Sequence, residues 1–472
     1  MQSYLRWFLA GMISLTTLAV QAMTPLTASY YLDIKQPGLD KAQLTYNDIA
    51  PVLGKHQKNP LFTFTQLGES TQGQPIWQID IGSGDTKLMA WSQMHGDEST
   101  ATAALMDLLN FIAADQQAQW REQWLSKIHL RLIPMLNPDG AAAGTRVNAM
   151  GIDINRDAKA LQTPEGRLLM QAARAFKPDF GLNLHDQNRH YAVGNSDKQT
   201  TISLLAPAFN EAKDIDASRK KAMQLIGDMS ALMATELPGY LAKYNDTFSI
   251  RSFGDTFSGM GISTVLIESG AYPADDNRQR ARQLNTQLLV MSIQSIASEH
   301  YSKQTLKAYQ DIPFNRDGAI KDVLIDNLQI SVSGQQALVD LALDLDIEGR
   351  KQGRIVDIGD LSIYSSFHRF NASGLHYQPG RVFNLSEPLT LDRAAYIALL
   401  QQGFSQFTGD SSLLTNQSGL PTVFSSRVAG SAPQLQRAAT FLLANDSGVQ
   451  FALLNGQLLD LTAATLVYPF GT

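Results

Sequence analysis

The chain of 472 residues contains no cysteine, which excludes disulfide bonds, thiolate metal sites and a cysteine nucleophile. Any metal ion must therefore be bound through histidine, aspartate or glutamate. Charged residues are also scarce, at 17% of the chain, and the 38 lysine and arginine residues are outnumbered by 44 acidic residues. Because proteins that bind phosphate backbones carry a basic surface, we expect no nucleic acid partner.

What is present is ordinary globular composition, with 44% hydrophobic residues. Since one domain usually takes about 100 to 200 residues, the length predicts two folded units, one of them large. The pattern of the sequence changes at about residue 304. We therefore predict a large domain at residues 23–304 and a smaller one at residues 305–472.

Residues 1–22 have the composition of a secretory signal peptide. One positive charge, Arg6, precedes the apolar stretch Trp7–Val20, and the segment ends in small residues at Val20 and Ala22. The alternative is a membrane anchor, but a spanning helix needs about 20 apolar residues, and this stretch is shorter and includes polar residues. We therefore expect the segment to be removed, which leaves a secreted or periplasmic protein with no membrane partner.

Residues 23–304 alternate short apolar runs with amphipathic stretches, a pattern typical of an α/β domain. Strands separated by helices predict a mixed, mostly parallel sheet flanked by helices. The predicted strands are Lys87–Met94, His129–Met135, Asp179–Leu184 and Ser263–Ile267, and the predicted helices are Thr100–Ala113, Pro164–Phe176, Ser218–Thr235 and Asp275–Ser298.

Residues 305–472 are predicted to form a separate, smaller β-rich domain. Segment Ala337–Ile347 alternates apolar and polar residues, as a half-buried strand does. Asp340, Asp344 and Asp346 share one face of this strand, where a solvated surface is favoured over a calcium site. The domain either binds a glycan or a protein partner or only stabilises its neighbour, and the second reading is favoured.

Polar side chains follow the predicted strands at the edge where open α/β sheets bind ligands. His95 follows the first strand, with Glu98 three residues later. His185 follows the strand Asp179–Leu184, and Glu268 ends the last strand. A single histidine of this kind is more often structural. Two histidines and Glu98 together form the set that leaves a zinc ion an open position for water.

With these residues in place, the sequence resembles the zinc carboxypeptidase family, the carboxypeptidase A-like metallopeptidases, as a divergent, exported, bacterial-type member. His95–Glu98 (HGDE) matches the family's His-x-x-Glu metal motif, and Asn137–Gly140 (NPDG), a strong turn signal, comes next in the family as well. Arg146–Arg156 (RVNAMGIDINR) is similar to its Arg-x-Asn-x-x-Gly-x-Asp-Leu-Asn-Arg segment. His185 matches the third metal ligand and Glu268 the catalytic glutamate. The resemblance does not extend into the C-terminal domain.

The resemblance implies a catalytic role for each matching residue. His95, Glu98 and His185 would bind one Zn²⁺ per chain, which lowers the pKa of its bound water to about 7. Glu268 would accept the proton of that water and pass it to the leaving amine. Arg146 would stabilise the oxyanion of the transition state.

The resemblance also implies the substrate, a peptide or peptide-like molecule with a free C-terminal carboxylate. Asn155 and Arg156 would hold that carboxylate, Arg156 in a bidentate manner. No tyrosine stands where the family's spacing from the glutamate puts its mobile tyrosine. Tyr244 is the nearest candidate for this substrate-binding role, and Tyr240 is the second.

Some residues depart from the family pattern. Asp157 and Asp186 stand where better-known members have asparagine and serine. These acids either orient the metal ligands or favour a substrate with a positive group. In the region expected to line the specificity pocket, Arg251, Phe253 and Asp255 point to three incompatible substrate classes.

The sequence therefore predicts a zinc metallocarboxypeptidase that hydrolyses the C-terminal peptide bond of peptides, cell-wall peptides included. One alternative is a zinc amidase or deacylase that acts on small acylated amino acids or cell-wall peptides with the same metal set. Another is an inactive module that recognises peptide carboxylates. The presence of every metal and base residue disfavours this last alternative.

Overall fold

The computed structural model describes residues 26–275, 277–346, 352–425 and 430–468. The predicted signal peptide, residues 1–22, lies outside the described residues. Within them, no helix combines the length and apolar character that crossing a bilayer requires.

The chain divides into two compact units between Arg316 and Asp317. The domain boundary predicted from the sequence pattern lies 12 residues earlier, between residues 304 and 305. The intervening helix Leu306–Gln310 lies in the first unit, where it contacts the long helix Ala217–Glu236.

The first unit consists of strands and helices in alternation. Its strands are β1 Thr63–Glu69, β2 Pro75–Ile81, β3 Thr86–Trp91, β4 Ile128–Ile133, β5 Phe180–Asp186, β6 Ala192–Val193, β7 Ile202–Leu205, β8 Leu241–Lys243, β9 Ser263–Ser269 and β10 Asn315–Arg316. Its helices are α1 Ala28–Ile34, α2 Tyr46–His56, α3 Thr100–Ala113, α4 Ala118–Glu122, α5 Pro138–Ala143, α6 Pro164–Phe176, α7 Ala217–Glu236, α8 Phe253–Gly259, α9 Gln279–Ala297 and α10 Leu306–Gln310.

The main sheet has the strand order β1-β2-β4-β3-β5-β9-β7-β8. Strands β4, β3, β5 and β9 pair in parallel at its centre. Antiparallel pairs join β1 to β2, β2 to β4 and β9 to β7. The predicted mixed, mostly parallel sheet flanked by helices is confirmed.

Both faces of the central strands are buried. Leu88 and Ala90 of β3 belong to a hydrophobic cluster with side chains of α3, α7 and α9. Met89 and Trp91 belong to a second cluster with side chains of α6 and α8. Because successive side chains of a strand point to opposite faces, helices cover the sheet on both sides. The carboxyl ends of these buried strands are where the predicted site residues lie.

The Asn137–Gly140 motif begins a helix, so its interpretation as a turn needs correction. The side-chain oxygen of Asn137 accepts a hydrogen bond from the backbone N of Gly140 at 2.9 Å. Pro138 occupies the first position of α5, where its missing N–H costs nothing. Asparagine is a preferred N-cap, and the same residues that favour a turn therefore start α5.

The second unit is β-rich, as predicted, and its main sheet contains β11 to β15 and β20 to β23. Asp340 is occupied by backbone contacts, since its carboxylate accepts hydrogen bonds from N of Asn327 (3.0 Å) and N of Leu361 (3.2 Å). This use of both oxygens argues against Asp340 as a calcium ligand. The strands are β11 Ile320–Val332, β12 Gln335–Asp346, β13 Gln352–Gly359, β14 Ser365–Asn371, β15 His376–Gln378, β16 Arg381–Leu385, β17 Leu389–Leu391, β18 Phe404–Gly409, β19 Leu414–Asn416, β20 Phe441–Asn445, β21 Gly448–Leu454, β22 Gln457–Asp460 and β23 Thr465–Tyr468, and helix α11 is Arg393–Gln401.

Candidate active site

His95, Glu98 and His185 converge at the carboxyl ends of β3 and β5. Nδ1 of His95 lies 2.7 Å from Oε1 of Glu98, and Nδ1 of His185 lies 2.7 Å from Oε2 of the same carboxylate. The two Nδ1 atoms are 3.1 Å apart. All three side chains are buried. The structure therefore brings the three predicted metal ligands into one cluster.

Local structure explains this convergence. His95 and Glu98 lie on the short segment between β3 and α3, which turns tightly against α5. A Cβ added at Gly96 would fall 2.0 Å from the carbonyl carbon of Gly140, so only glycine fits at this approach. His185 lies within β5, and its partner in the parallel β5–β9 register is Glu268.

The donor set fits Zn²⁺. Two imidazole nitrogens and one carboxylate, with ligand atoms all within 4.8 Å of one another, are the ligands found at catalytic zinc sites with an open position. Nε2 of His95 lies 3.1 Å from Oδ1 of Asp153. A carboxylate at the second ring nitrogen fixes the orientation of a histidine ligand.

Sequence reasoning missed Asp153, although it lies within the quoted Arg146–Arg156 segment. The signal that could have identified it is chemical: a histidine ligand needs an acceptor for its second N–H. An aspartate in a loop expected to line the site is the natural candidate.

Charges within the cluster shift the pKa of each member. Burial favours neutral His95, but the charge of Glu98 and hydrogen bonds to Asp153 and Glu98 outweigh it and raise the pKa of His95 to about 9. Burial opposes the charged form of Glu98, yet His95 and His185 hold its pKa well below the usual range. Contacts with His95 also lower the pKa of Asp153 against the effect of its burial. Burial lowers the pKa of His185.

These pKa shifts predict how zinc binding depends on pH. Since the pKa of His95 is raised to about 9, we expect this imidazole to carry a proton near neutral pH when no metal is bound. Zinc must displace that proton, so we expect the apparent zinc affinity to rise about tenfold per pH unit between about pH 7 and 9. Chelator competition across this range, with proton release counted by calorimetry in two buffers, measures the effect. A flat profile would contradict the assignment.

Glu268 is a buried carboxylate with an unsatisfied oxygen. Its residue is 7% exposed, and Oε2 has no hydrogen-bond partner among the described residues. Burial and the nearby charge of Glu98 raise the pKa of Glu268 well above its usual value. A buried carboxyl oxygen without a protein partner, beside a metal-ligand set, has the properties of a group that takes up a proton.

Arg146 lies beside the same cluster. Its Nη1 donates to Oε1 of Glu98 at 3.1 Å, and its Nε donates to Oδ2 of Asp153 at 3.1 Å. The Arg146 side chain remains 44% exposed. Because the guanidinium is partly exposed to solvent, it can contact a bound ligand as well as Glu98 and Asp153.

Asn155 and Arg156 lie next to the N-terminus of α8. The Asn155 side-chain oxygen accepts a hydrogen bond from N of Phe253 at 2.9 Å, which leaves Nδ2 as the donor end of the amide. Nη1 of Arg156 donates to Oγ of Ser252 at 3.3 Å, and the Arg156 residue is exposed. One amide and one guanidinium are thus held at adjacent positions, and a guanidinium can bind a carboxylate through two parallel hydrogen bonds.

Tyr244, rather than Tyr240, lies within electrostatic reach of the site. Burial, the charge of Glu268 and a hydrogen bond with Tyr191 raise the pKa of Tyr244 far above its usual value. The rings of Tyr244 and Tyr191 are 6.0 Å apart. Tyr240 packs against Tyr272 instead, with ring centroids 5.2 Å apart. No sequence signal singled out Tyr191.

Of the two departures from the family pattern, Asp157 has a structural explanation. Its carboxylate accepts hydrogen bonds from N of Gln162 and from N and Oγ1 of Thr163, each at 2.7 Å. Asp157 therefore binds the residues that precede α6, and these hydrogen bonds reach none of the three metal-ligand candidates. Asp186 instead contacts Thr100, two residues after Glu98.

The three specificity candidates also have different environments. Phe253 is fully buried, with its ring 5.6 Å from that of Phe257, so it belongs to the core. Nε of Arg251 donates to the carbonyl of Arg156 at 3.0 Å. Asp255 is half-buried and accepts a hydrogen bond from Ser249, and burial raises the pKa of its carboxyl to about 6.

Comparison with known proteins finds a similarity to zinc carboxypeptidases in one segment of the chain. Residues 54–202 match the family model described as zinc carboxypeptidase. Carboxypeptidase SOL1 of Arabidopsis thaliana is 28% identical over 128 residues, which are 25% of this chain and 26% of that protein. Carboxypeptidase 2 of Trichophyton tonsurans is 29% identical over 132 residues, 28% of this chain and 24% of that protein. The chain thus spans about a quarter of the length of these relatives.

A solved metallo-carboxypeptidase from Burkholderia cenocepacia is 16% identical to the chain. It superposes with a TM-score of 0.46 and covers 56% of this chain and 70% of that one. The segment that matches the family model includes the predicted metal ligands, Arg146, Asn155 and Arg156, whereas Tyr244 and Glu268 lie beyond it. The resemblance drawn from the sequence motifs is confirmed for residues 54–202, the segment that matches the zinc carboxypeptidase family model.

Proposed function

We propose that this chain is a zinc metallocarboxypeptidase that hydrolyses the C-terminal peptide bond of peptides. One observation carries the proposal: the buried cluster of His95, Glu98 and His185, with the unsatisfied carboxyl of Glu268 beside it. One Zn²⁺ per chain would be held by the cluster. When bound, the ion supplies Lewis-acid polarisation of a carbonyl and acidifies a water molecule.

The chain's own residues supply the remaining steps. Glu268, whose Oε2 is buried without a hydrogen-bond partner among the described residues, accepts a proton from the attacking water and gives it to the leaving amine. Arg146, which is partly exposed beside the cluster, stabilises the oxyanion. Asn155 and Arg156 bind the terminal carboxylate of the substrate. Tyr244, which lies within electrostatic reach of Glu268, contributes to substrate binding.

We also propose that the substrate is met outside the cytoplasm, in the periplasm or beyond. This rests on the signal-peptide composition of residues 1–22. The substrate is a peptide or peptide-like molecule with a free C-terminal carboxylate, because the Asn155 amide and the Arg156 guanidinium both offer hydrogen-bond donors to such a group.

Zinc analysis and peptide digestion together test the proposed function. We expect about one zinc per chain and release of single C-terminal residues from a mixed peptide library, read by mass. The His185→Ala variant, which lacks one metal ligand, should bind no zinc and release no C-terminal residues. Release from acylated amino acids alone would favour the amidase alternative. Absence of zinc and of hydrolysis, with peptide binding retained, would favour the binding-module alternative.

A further inference from the structure

Asp186 lies directly after the metal-ligand candidate His185, and its carboxylate contacts other elements of the site rather than solvent. We propose that Asp186 and Arg278 are positioning residues, which hold the chain segments of Glu98, His185 and Glu268 in place relative to one another. This inference rests on the proposed function, because it takes the zinc site to be His95, Glu98 and His185.

The first link joins the segments of two ligands. The backbone N of Asp186 donates to Oε2 of Glu98 at 3.2 Å. Oδ2 of Asp186 accepts hydrogen bonds from N of Thr100 at 3.2 Å and from Oγ1 of Thr100 at 2.7 Å. Thr100 is the first residue of α3, directly after the Glu98 segment. Asp186 therefore binds both the Glu98 side chain and the helix that follows it.

The second link reaches the strand of Glu268. Nη1 of Arg278 donates to the carbonyl of Ser269 at 2.8 Å and lies 3.7 Å from Oδ2 of Asp186. Asp186 and Ser269 are register partners at the ends of β5 and β9. The guanidinium thus spans the ends of two neighbouring strands, one residue beyond His185 and one beyond Glu268.

Burial of the Asp186 carboxylate costs free energy, which favours a specific role for this residue. The Asp186 side chain is only 7% exposed, and a buried charge is costly unless it is paired and hydrogen-bonded. Its Oδ2 accepts hydrogen bonds from Thr100 and lies near Arg278, whereas its Oδ1 is buried and has no hydrogen-bond partner among the described residues. Supporting residues of this kind typically change metal affinity by about 10- to 100-fold when removed.

Zinc affinity of folded variants tests the inference. Asp186→Ala is expected to weaken zinc binding by about 10- to 100-fold, measured by chelator competition. Asp186→Asn keeps an oxygen that can accept both Thr100 hydrogen bonds, so it should restore most of the affinity. Thr100→Val removes only the hydroxyl and should weaken binding by about two- to tenfold. If Asp186→Ala does not fold, the Thr100→Val variant still tests the positioning role of Asp186.

Asp228→Ala is the matched control. The Asp228 side chain is 3% exposed, and it accepts hydrogen bonds from Ser295 and Gln304, away from the site. This variant should lower the Tm of the metal-free protein while its zinc affinity stays at the wild-type value. If Asp186→Ala and Thr100→Val lowered Tm in the same way without weakening zinc binding, Asp186 would be structural only and the inference overturned.

Arg278→Gln tests the second link separately. It should lower kcat at saturating zinc by about 10- to 100-fold with little change in KM, because a small displacement of Glu268 affects the chemical step. An unchanged kcat would remove Arg278 from the proposal. If the wild-type protein did not bind zinc, the proposed function itself would be contradicted. If the wild type bound zinc and the variants kept its zinc affinity and kcat, only the positioning role would be contradicted.

Discussion

Replacing Glu268 by glutamine is expected to abolish hydrolysis while zinc remains bound. Glutamine keeps the size and one oxygen of the side chain but cannot accept a proton at neutral pH, so the general-base contribution of about 10²- to 10⁴-fold in kcat is lost. Zinc affinity should change little, because the ligand atoms belong to other residues. Kinetics at saturating zinc, together with metal analysis of the same sample, measure both quantities.

The control for this experiment is another buried acid. Asp228→Asn makes the same chemical change away from the site, where Asp228 contacts His300 and Ser295. It should lower stability but leave kcat within a few-fold of wild type. Full activity in the Glu268→Gln variant would contradict the mechanism. Loss of zinc together with activity would instead show that Glu268 supports the metal.

The helices that flank the sheet could be predicted closely from the sequence. Helix Thr100–Ala113 has the predicted bounds, because its apolar residues recur at three- and four-residue spacing against a buried sheet. Strand β1, Thr63–Glu69, was not predicted, because it is mostly exposed and its sequence TFTQLGE carries few apolar residues. Its pairing with β2 depends on a partner that local periodicity does not reveal.

The metal cluster was predictable for a different reason. Parallel strands end at one edge of a sheet, so polar residues after separate strands are brought together even when they are far apart in sequence. The support for these ligands was not predictable in this way. Whether Asp157 or Asp186 acts on the site depends on the path of loops and helix starts, and only contacts with Thr163 and Thr100 separate the two acids.

Arg156→Gln tests the substrate class most directly. If the guanidinium binds the terminal carboxylate through two charge-assisted hydrogen bonds of about 1.5 to 3 kcal/mol each, its loss should lower kcat/KM by about 10²- to 10⁴-fold. The effect should appear with peptides that carry a free C-terminus. With the same peptides amidated at the C-terminus, the variant and the wild type should differ by less than about tenfold, because the charge that Arg156 binds is absent.

The comparison of the two substrates is the control within this experiment. Arg156 is exposed and donates to the Ser252 hydroxyl, so its replacement leaves the buried metal cluster intact, and zinc content should stay at the wild-type level. An equal loss of kcat/KM on free and amidated peptides would mean that Arg156 maintains the structure of the site and does not bind the substrate carboxylate. The chain would then lack its main determinant of exopeptidase action, and the amidase alternative would gain support.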